Sequence, residues 1–315
     1  MDALTPAQTT ELVSRLGEKK ARTRLDKMFI NSFMGGCFVS CGAALSLSTS
    51  ASPWFRDNAP GLIRTISAMV FPVGLIMVVM TGADLFTSYC MYSTVAWLHR
   101  RCSFLDLLKT WFVSFFANLA GVLFFMAILT GYGGTFDKGA YRDEALNFAR
   151  VKAVVPEWHQ IFLKGILCNW LVCMAVFLAL ASRDVISKIV AIWFPVVCFA
   201  GLGTDHVVAN MYFIPLALFL GAPEPLTVGY YIWKSMIPSL LGNIVGGSVF
   251  VGTVYWYMHL ADGQVVEMPT DEKPAKQTIY QQARPMTMHS TYSRNSTMTT
   301  DFDYSSTAQI LPVRL

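Results

Sequence analysis

The chain has 315 residues, 54% of them hydrophobic and 14% charged, with a formal net charge of +4. A soluble globular chain carries about 25% charged residues, and the mean hydropathy of +0.46 points the same way. Uncharged runs over 28–55, 65–83, 110–136, 165–182, 189–204 and 235–258 approach or exceed the roughly 20 apolar residues of a membrane-spanning helix, which excludes soluble enzymes, nucleic-acid binders and secreted disulfide scaffolds.

Residues 1–27 read as an amphipathic cytoplasmic helix, started by Thr5-Pro6 and carrying leucine at 12, 16 and 25. A membrane-spanning region follows over 28–260. Its first apolar run has a companion at every later stage, so it is not read as a removable signal peptide. Four runs are ordinary spans. Residues 65–98 hold one acid, Asp84, between apolar flanks, and residues 189–223 hold Asp205 and His206 between apolar flanks. Each region is too long for one straight helix and too short for two spans and a loop. Glycine lies beside the charge in both, at Gly82 and at Gly201/Gly203. Each is therefore read as one interrupted helix, which gives six spans with the second and fifth broken. Residues 261–315, rich in Ser, Thr, Gln and Pro, read as a disordered cytoplasmic tail.

With six spans both ends share a side, and that side collects 16 of the 24 lysines and arginines, which places both termini in the cytoplasm. A multi-pass protein of the plasma membrane is expected. The seven cysteines show no CxxC spacing and no nearby histidine pair, so they read as small core residues. No cofactor, metal or nucleic-acid partner is expected.

The two halves resemble each other. Phe71-Pro72-Val73 precedes Gly82-Ala83-Asp84, and Phe194-Pro195-Val196 precedes Gly203-Thr204-Asp205. Asn118-Leu119-Ala120-Gly121 in span three matches Asn243-Ile244-Val245-Gly246 in span six. The offsets are 123, 121 and 125 residues. With three spans per half, the second copy is inverted in the membrane, and breaks at matching positions of an inverted repeat point to a transport site. Kinks made only for packing are the plainer alternative, disfavoured by the charges beside both breaks. Asp84 and Asp205 are expected to cap the half-helices that follow. His206, alone among the five histidines in falling mid-span, is expected to be functional. Asn169 either packs between helices or donates to a permeant. Phe71 and Phe199 precede the breaks and Leu75 and Leu85 lie toward the other end; each pair either gates a path or packs in the core, and spacing alone favours the core.

These segments resemble the formate/nitrite transporter family. The resemblance is carried by Val79-Met80-Thr81-Gly82-Ala83-Asp84-Leu85-Phe86-Thr87-Ser88, by Gly165 to Ala175 around Cys168-Asn169-Trp170, by Asp205-His206-Val207-Val208-Ala209-Asn210-Met211, and by Ile237-Pro238 through Gly242-Asn243-Ile244-Val245-Gly246-Gly247. It implies an all-α, aquaporin-like fold and a homopentamer with one pore per protomer. It also implies Thr87 in the loop that breaks span two, His206 as the central pore histidine with Asn169 beside it, and Phe71 and Phe199 at the outer constriction. Leu75 and Leu85 would form the inner constriction, and Lys152 an outer basic residue that draws anions. The overall sequence looks most like fungal members, which makes nitrite the first expected cargo, carried with a proton. Formate, lactate, acetate and hydrosulfide stay open, and a neutral-solute channel is the rival of a different class. An enzyme is not expected, since no metal cluster, nucleophile–base pair or phosphate loop is legible.

Overall fold

The computed structural model describes residues 3–263 and 265–269. The expected disordered tail lies, from residue 270 on, outside the described residues. Helix α1, Pro6–Ala21, begins with Thr5 and Gln8 capping each other's backbone N–H and with proline in its first turn. Its buried face is polar and small, with Thr10, Ser14 and Gly17 turned inward. It packs chiefly on the second half of span two, where a Cβ on Gly17 would collide with the Tyr92 carbonyl oxygen. Leu25, expected on this helix, instead opens span one. The first boundary therefore falls at residues 22–24, because α2 already runs from Leu25 to Ser50.

Among the described residues, six helices are long and apolar enough to cross a membrane: Leu25–Ser50, Pro60–Thr81, Phe104–Tyr132, Trp158–Ala181, Val185–Leu202 and Val228–His259. The short α3 (Pro53–Asn58) leads into span two, built of α4 (Pro60–Val70), α5 (Val73–Thr81) and, after a break, α6 (Phe86–Leu98). Span three is α7 (Phe104–Phe124), continued by a π-helical stretch to Tyr132. The connecting α8 (Gly139–Ala149) precedes span four, α9 (Trp158–Ala181). Span five is α10 (Val185–Leu202), broken before α11 (Val207–Phe219). Span six runs through α12 (Val228–Tyr231), α13 (Ile237–Val245) and α14 (Val254–His259), with π-helical turns between them.

The breaks fall where expected and for a local reason. Gly82 (φ +76°) and Gly203 (φ +69°) end their helices in the left-handed conformation, which costs glycine little and other residues more. Gly201 lies inside α10 and takes no part in the break. The halves repeat in three dimensions: α2 lies against α7 as α9 lies against α13. Small residues let these pairs approach closely. A Cβ on Gly121 would strike the Phe33 carbonyl oxygen, and one on Gly246 that of Ile166. The cysteines are free; most are buried, but Cys198 is exposed, not a core residue.

Candidate permeation site

At both breaks a half-helix starts inside the protein with its first N–H groups uncovered, and these need acceptors. Asp84 and Asp205 do not supply them, contrary to the sequence reading. Asn118 Oδ1 on span three accepts the Phe86 N–H at 2.8 Å, and Asn243 Oδ1 on span six accepts the Val207 N–H at 2.9 Å. Each asparagine also donates to the carbonyl beside its aspartate, Asn118 to Asp84 O at 3.0 Å and Asn243 to Asp205 O at 2.9 Å. The aspartate carboxylates turn away to lysines. Asp84 Oδ1 accepts from Lys20 of α1, and Asp205 Oδ1 from Lys152 at 3.3 Å and from Asn210 Nδ2 at 3.1 Å. Charge pairing outweighs local capping because a carboxylate buried without a cation is costly.

His206 is itself a cap. Its Nδ1 accepts the Ala209 N–H at 3.0 Å, while Nε2 lies 3.2 Å from the Thr87 hydroxyl. An acceptor Nδ1 leaves the ring's single proton on Nε2, so the neutral imidazole points an N–H toward Thr87. The ring stacks on Phe199, with centroids 6.0 Å apart, and Phe199 meets Phe71 edge-on at 5.6 Å. His206 and both phenylalanines line a cavity of about 520 Å³ that abuts the break of span five. Thr87 is fully buried.

A second cavity, about 210 Å³, abuts the break of span two and is lined by Leu85, Val78, Val79, Asp84, Lys20 and Tyr89 among others. Along span two, Phe71 at the end of α4 and Val78 on α5 thus line different cavities, and the buried Leu75 lies between them in sequence. Asn169 lines neither cavity. Its Nδ2 donates to Thr87 O at 3.1 Å and to Asn243 O at 2.7 Å, so it ties the two breaks together and touches His206 only through Thr87. It is not among the residues that line either cavity, where the sequence reading placed it beside His206.

Lys152 sits in the larger cavity with its ammonium bonded to Gly203 O, Thr204 O and Asp205. Arg64 and Lys164 line the same cavity and form no ion pair among the described residues. Arg56 there is matched by Glu144 at 3.2 Å. Burial pushes the Glu144 carboxyl above its ordinary value, and the hydrogen bond from Arg56 only partly offsets this. Sequence reading missed Lys20, Tyr89 and the capping role of the two asparagines. The Asn…Gly repeat marked the latter as paired without giving their task.

The chain is similar to known proteins over most of its length. The family described as formate/nitrite transporter matches residues 7–257. A probable formate transporter of Methanothermobacter thermautotrophicus is 37% identical over 270 residues, covering 82% of this chain and 97% of the relative. Among solved structures, an FNT family ion channel aligns with a TM-score of 0.73 at 27% identity, over 79% of this chain and 98% of its own. A pentameric formate channel with formate bound aligns at 0.66 and 28% identity, over 75% and 98%. The match runs from α1 to α14 and takes in both breaks, so this chain belongs to the formate/nitrite transporter family, a multi-pass membrane protein with the fold of its channels.

Proposed function

We propose that the chain carries a small monovalent weak-acid anion, nitrite or formate, across the plasma membrane together with a proton, as one pore of a homopentamer. The observation that carries this reading is the His206 Nε2–H, held in place between Thr87 and a cavity closed by Phe71 and Phe199. A bare anion among phenylalanine and leucine side chains loses its hydration at a cost of many kcal/mol. The neutral acid loses far less. Arg64 and Lys164 gather the anion in the larger cavity, and at the constriction His206 turns its Nε2–H from the Thr87 hydroxyl to the anion. The ring's Nδ1 is engaged by Ala209, so the imidazole acts as a donor of a hydrogen bond and not as an acid. The proton that neutralises the cargo then enters as hydronium from the outer solution through the water of the cavity, crosses as the O–H of the acid and is released beyond Leu75 and Leu85. Lys20 takes the place at the second cavity that Lys152 takes at the first. A pentamer is supported by the solved pentameric formate channel, and cytoplasmic termini by the charge bias.

The test is uptake of labelled nitrite and of formate by the reconstituted full-length protein, with and without an inward proton gradient. Uptake of at least one that rises with the gradient and falls when a protonophore collapses it is expected. Flux of a neutral solute with no anion uptake would instead favour the neutral-solute channel.

A further inference from the structure

The charged side chains that line the larger cavity are Arg56, Arg64, Lys152, Lys164, Glu144 and Asp205. Asp205 pairs with Lys152, and Glu144 with Arg56. The two pairs are built differently. Lys152 has an acceptor for each of its three N–H groups, in Gly203 O, Thr204 O and Asp205 Oδ1, so it is held fast. Arg56 gives Glu144 one N–H, at 3.2 Å. That is longer than the roughly 2.7–2.9 Å of a tight charged pair and lacks the second, parallel bond of a guanidinium fork. The other acid within reach of Arg56 among the described residues is the exposed Asp57, 3.7 Å from Nε.

A second glutamate shows what such a hold does. Glu144 and Glu11 are both buried. Glu11 accepts from two arginines at 2.6 Å each and stays below the ordinary glutamate range. Burial pushes Glu144 above it, and the hydrogen bonds from Arg56 and Asn147 do not offset this. A buried carboxylate so weakly held takes up a proton readily. Around Glu144, α4 contributes Arg64, the turn after α8 Lys152, α9 Lys164, and the break of span five Asp205 and the neutral His206. Helix α2, which also packs on α8, brings Ser46 and Ser50 to the cavity and no charge. On α8 itself, Asp143 is exposed and Arg142 is engaged by Leu220 O.

We propose that Glu144 couples proton binding to anion entry in the larger cavity: ionised, it occupies Arg56, and protonated, it releases the guanidinium to the incoming oxyanion. Carboxylate and anion are alternative partners of one cation, and a proton on Glu144 decides between them. The fork of Arg56 fits the two oxygens of a small planar oxyanion such as nitrite or formate as it fits a carboxylate. The proton comes from the outer solution, adds to a Glu144 oxygen and stays there while the anion is held; it is not the proton that crosses with the cargo. Because two bound species are coupled, the effect is reciprocal, and an anion on Arg56 raises the proton affinity of Glu144 by the same factor. Acid outside thus loads the cavity with anion. This assignment rests on the transport reading above.

The experiment measures half-saturation for labelled nitrite and formate from the α8 side of vesicles of known sidedness, at neutral and at mildly acidic outer pH. It compares full-length wild type, Glu144→Gln, and the double variant Glu144→Gln, Arg56→Gln. Glutamine reproduces the uncharged state of Glu144. One hydrogen bond at a half-exposed guanidinium corresponds to about a 3- to 10-fold change in affinity. At neutral pH, half-saturation is expected to fall by that factor in Glu144→Gln, and in acid wild type and variant converge. The double variant loses the gain: it matches wild type at neutral pH and lies above it by the same factor in acid. A bond that only fastens α3 to α8 is broken in either variant, so both would then be weakened alike at both pH values, and that result overturns the assignment. A wild type and Glu144→Gln that agree at both pH values overturn it as well. Should Glu144→Gln not reach the membrane, the double variant decides, and a ratio to wild type that is the same at both pH values overturns the assignment. A wild type that carries neither oxyanion overturns the transport reading with it.

Discussion

Asn118 and Asn243 show how much a single buried amide can hold. Asn243 covers the Val207 N–H and donates to Gly165 O and Asp205 O, all at 2.9 Å. Asn243→Ala strips all three groups of a partner in a dry interior. At about 1–3 kcal/mol for each group left unsatisfied, we predict a loss of more than about 3 kcal/mol, visible as a fall in the thermal midpoint of the detergent-solubilised protein. A midpoint unchanged from wild type would contradict the capping role. At this scale the sequence was only partly legible. His206, Phe71 and Phe199 lie close together, and Thr87 reaches His206 from the first turn of α6, not from the loop expected for it. The caps were misassigned because the local rule favours the aspartate just before a helix, whereas the acceptor comes from a helix 32 or 36 residues away. The carboxylates are claimed by lysines 64 and 53 residues distant, which no local pattern reveals.

Between elements, two contacts give measurable consequences. Gly165 of α9 and Gly242 of α13 face each other so closely that a Cβ on Gly242 would come within 2.9 Å of the Gly165 Cα. Gly242→Ala must push these helices apart, and with them the Asn243 bonds, so lower expression and a lower thermal midpoint are expected. The second contact docks α1. Glu11, 4% exposed, accepts from Arg15 and from Arg101, each at 2.6 Å, and His99 lies 3.7 Å away. Burial pushes the Glu11 carboxyl up, but the hydrogen bonds from Arg15 and Arg101 outweigh it and hold it below the ordinary glutamate range. A depressed carboxyl stabilises the docked form above the unfolded value and loses that contribution as pH falls through the depressed one. We predict that α1 resists proteolysis at neutral pH and is released in strong acid, and that Glu11→Gln is cut more readily at neutral pH. Identical digestion of both proteins at every pH would contradict this. The start of α1 was legible from Thr5-Pro6. Its docking was not, since the buried face mixes Thr9, Thr10, Glu11, Ser14 and Gly17 with only Val13 and Ala21 as apolar members.

Across the whole molecule, the inverted repeat is the feature most fully legible in the sequence. Motif offsets near 123 residues carry the glycine breaks, the asparagine caps and the helix pairing of both halves. What the repeat hides is its own asymmetry: His206 holds in span five the place that Leu85 holds in span two, and Tyr89 the place of Asn210. Large apolar side chains such as Phe112, Ile186 and Phe194 are exposed, a surface for lipid or for neighbouring protomers. Particle-mass measurement in lipid discs should give five protomers; a monomer would contradict the proposed assembly. The proposed transport requires a neutral His206 to donate its Nε2–H to a cargo that crosses only with a proton. It is tested by following tracer anion and internal pH together in vesicles bearing wild type or His206→Asn. Asparagine still caps α11 but withdraws the imidazole N–H. One proton per anion is expected in wild type, and at least about a fivefold loss of coupled uptake in the variant at equal protein level. Coupled uptake in the variant at the wild-type rate would contradict it.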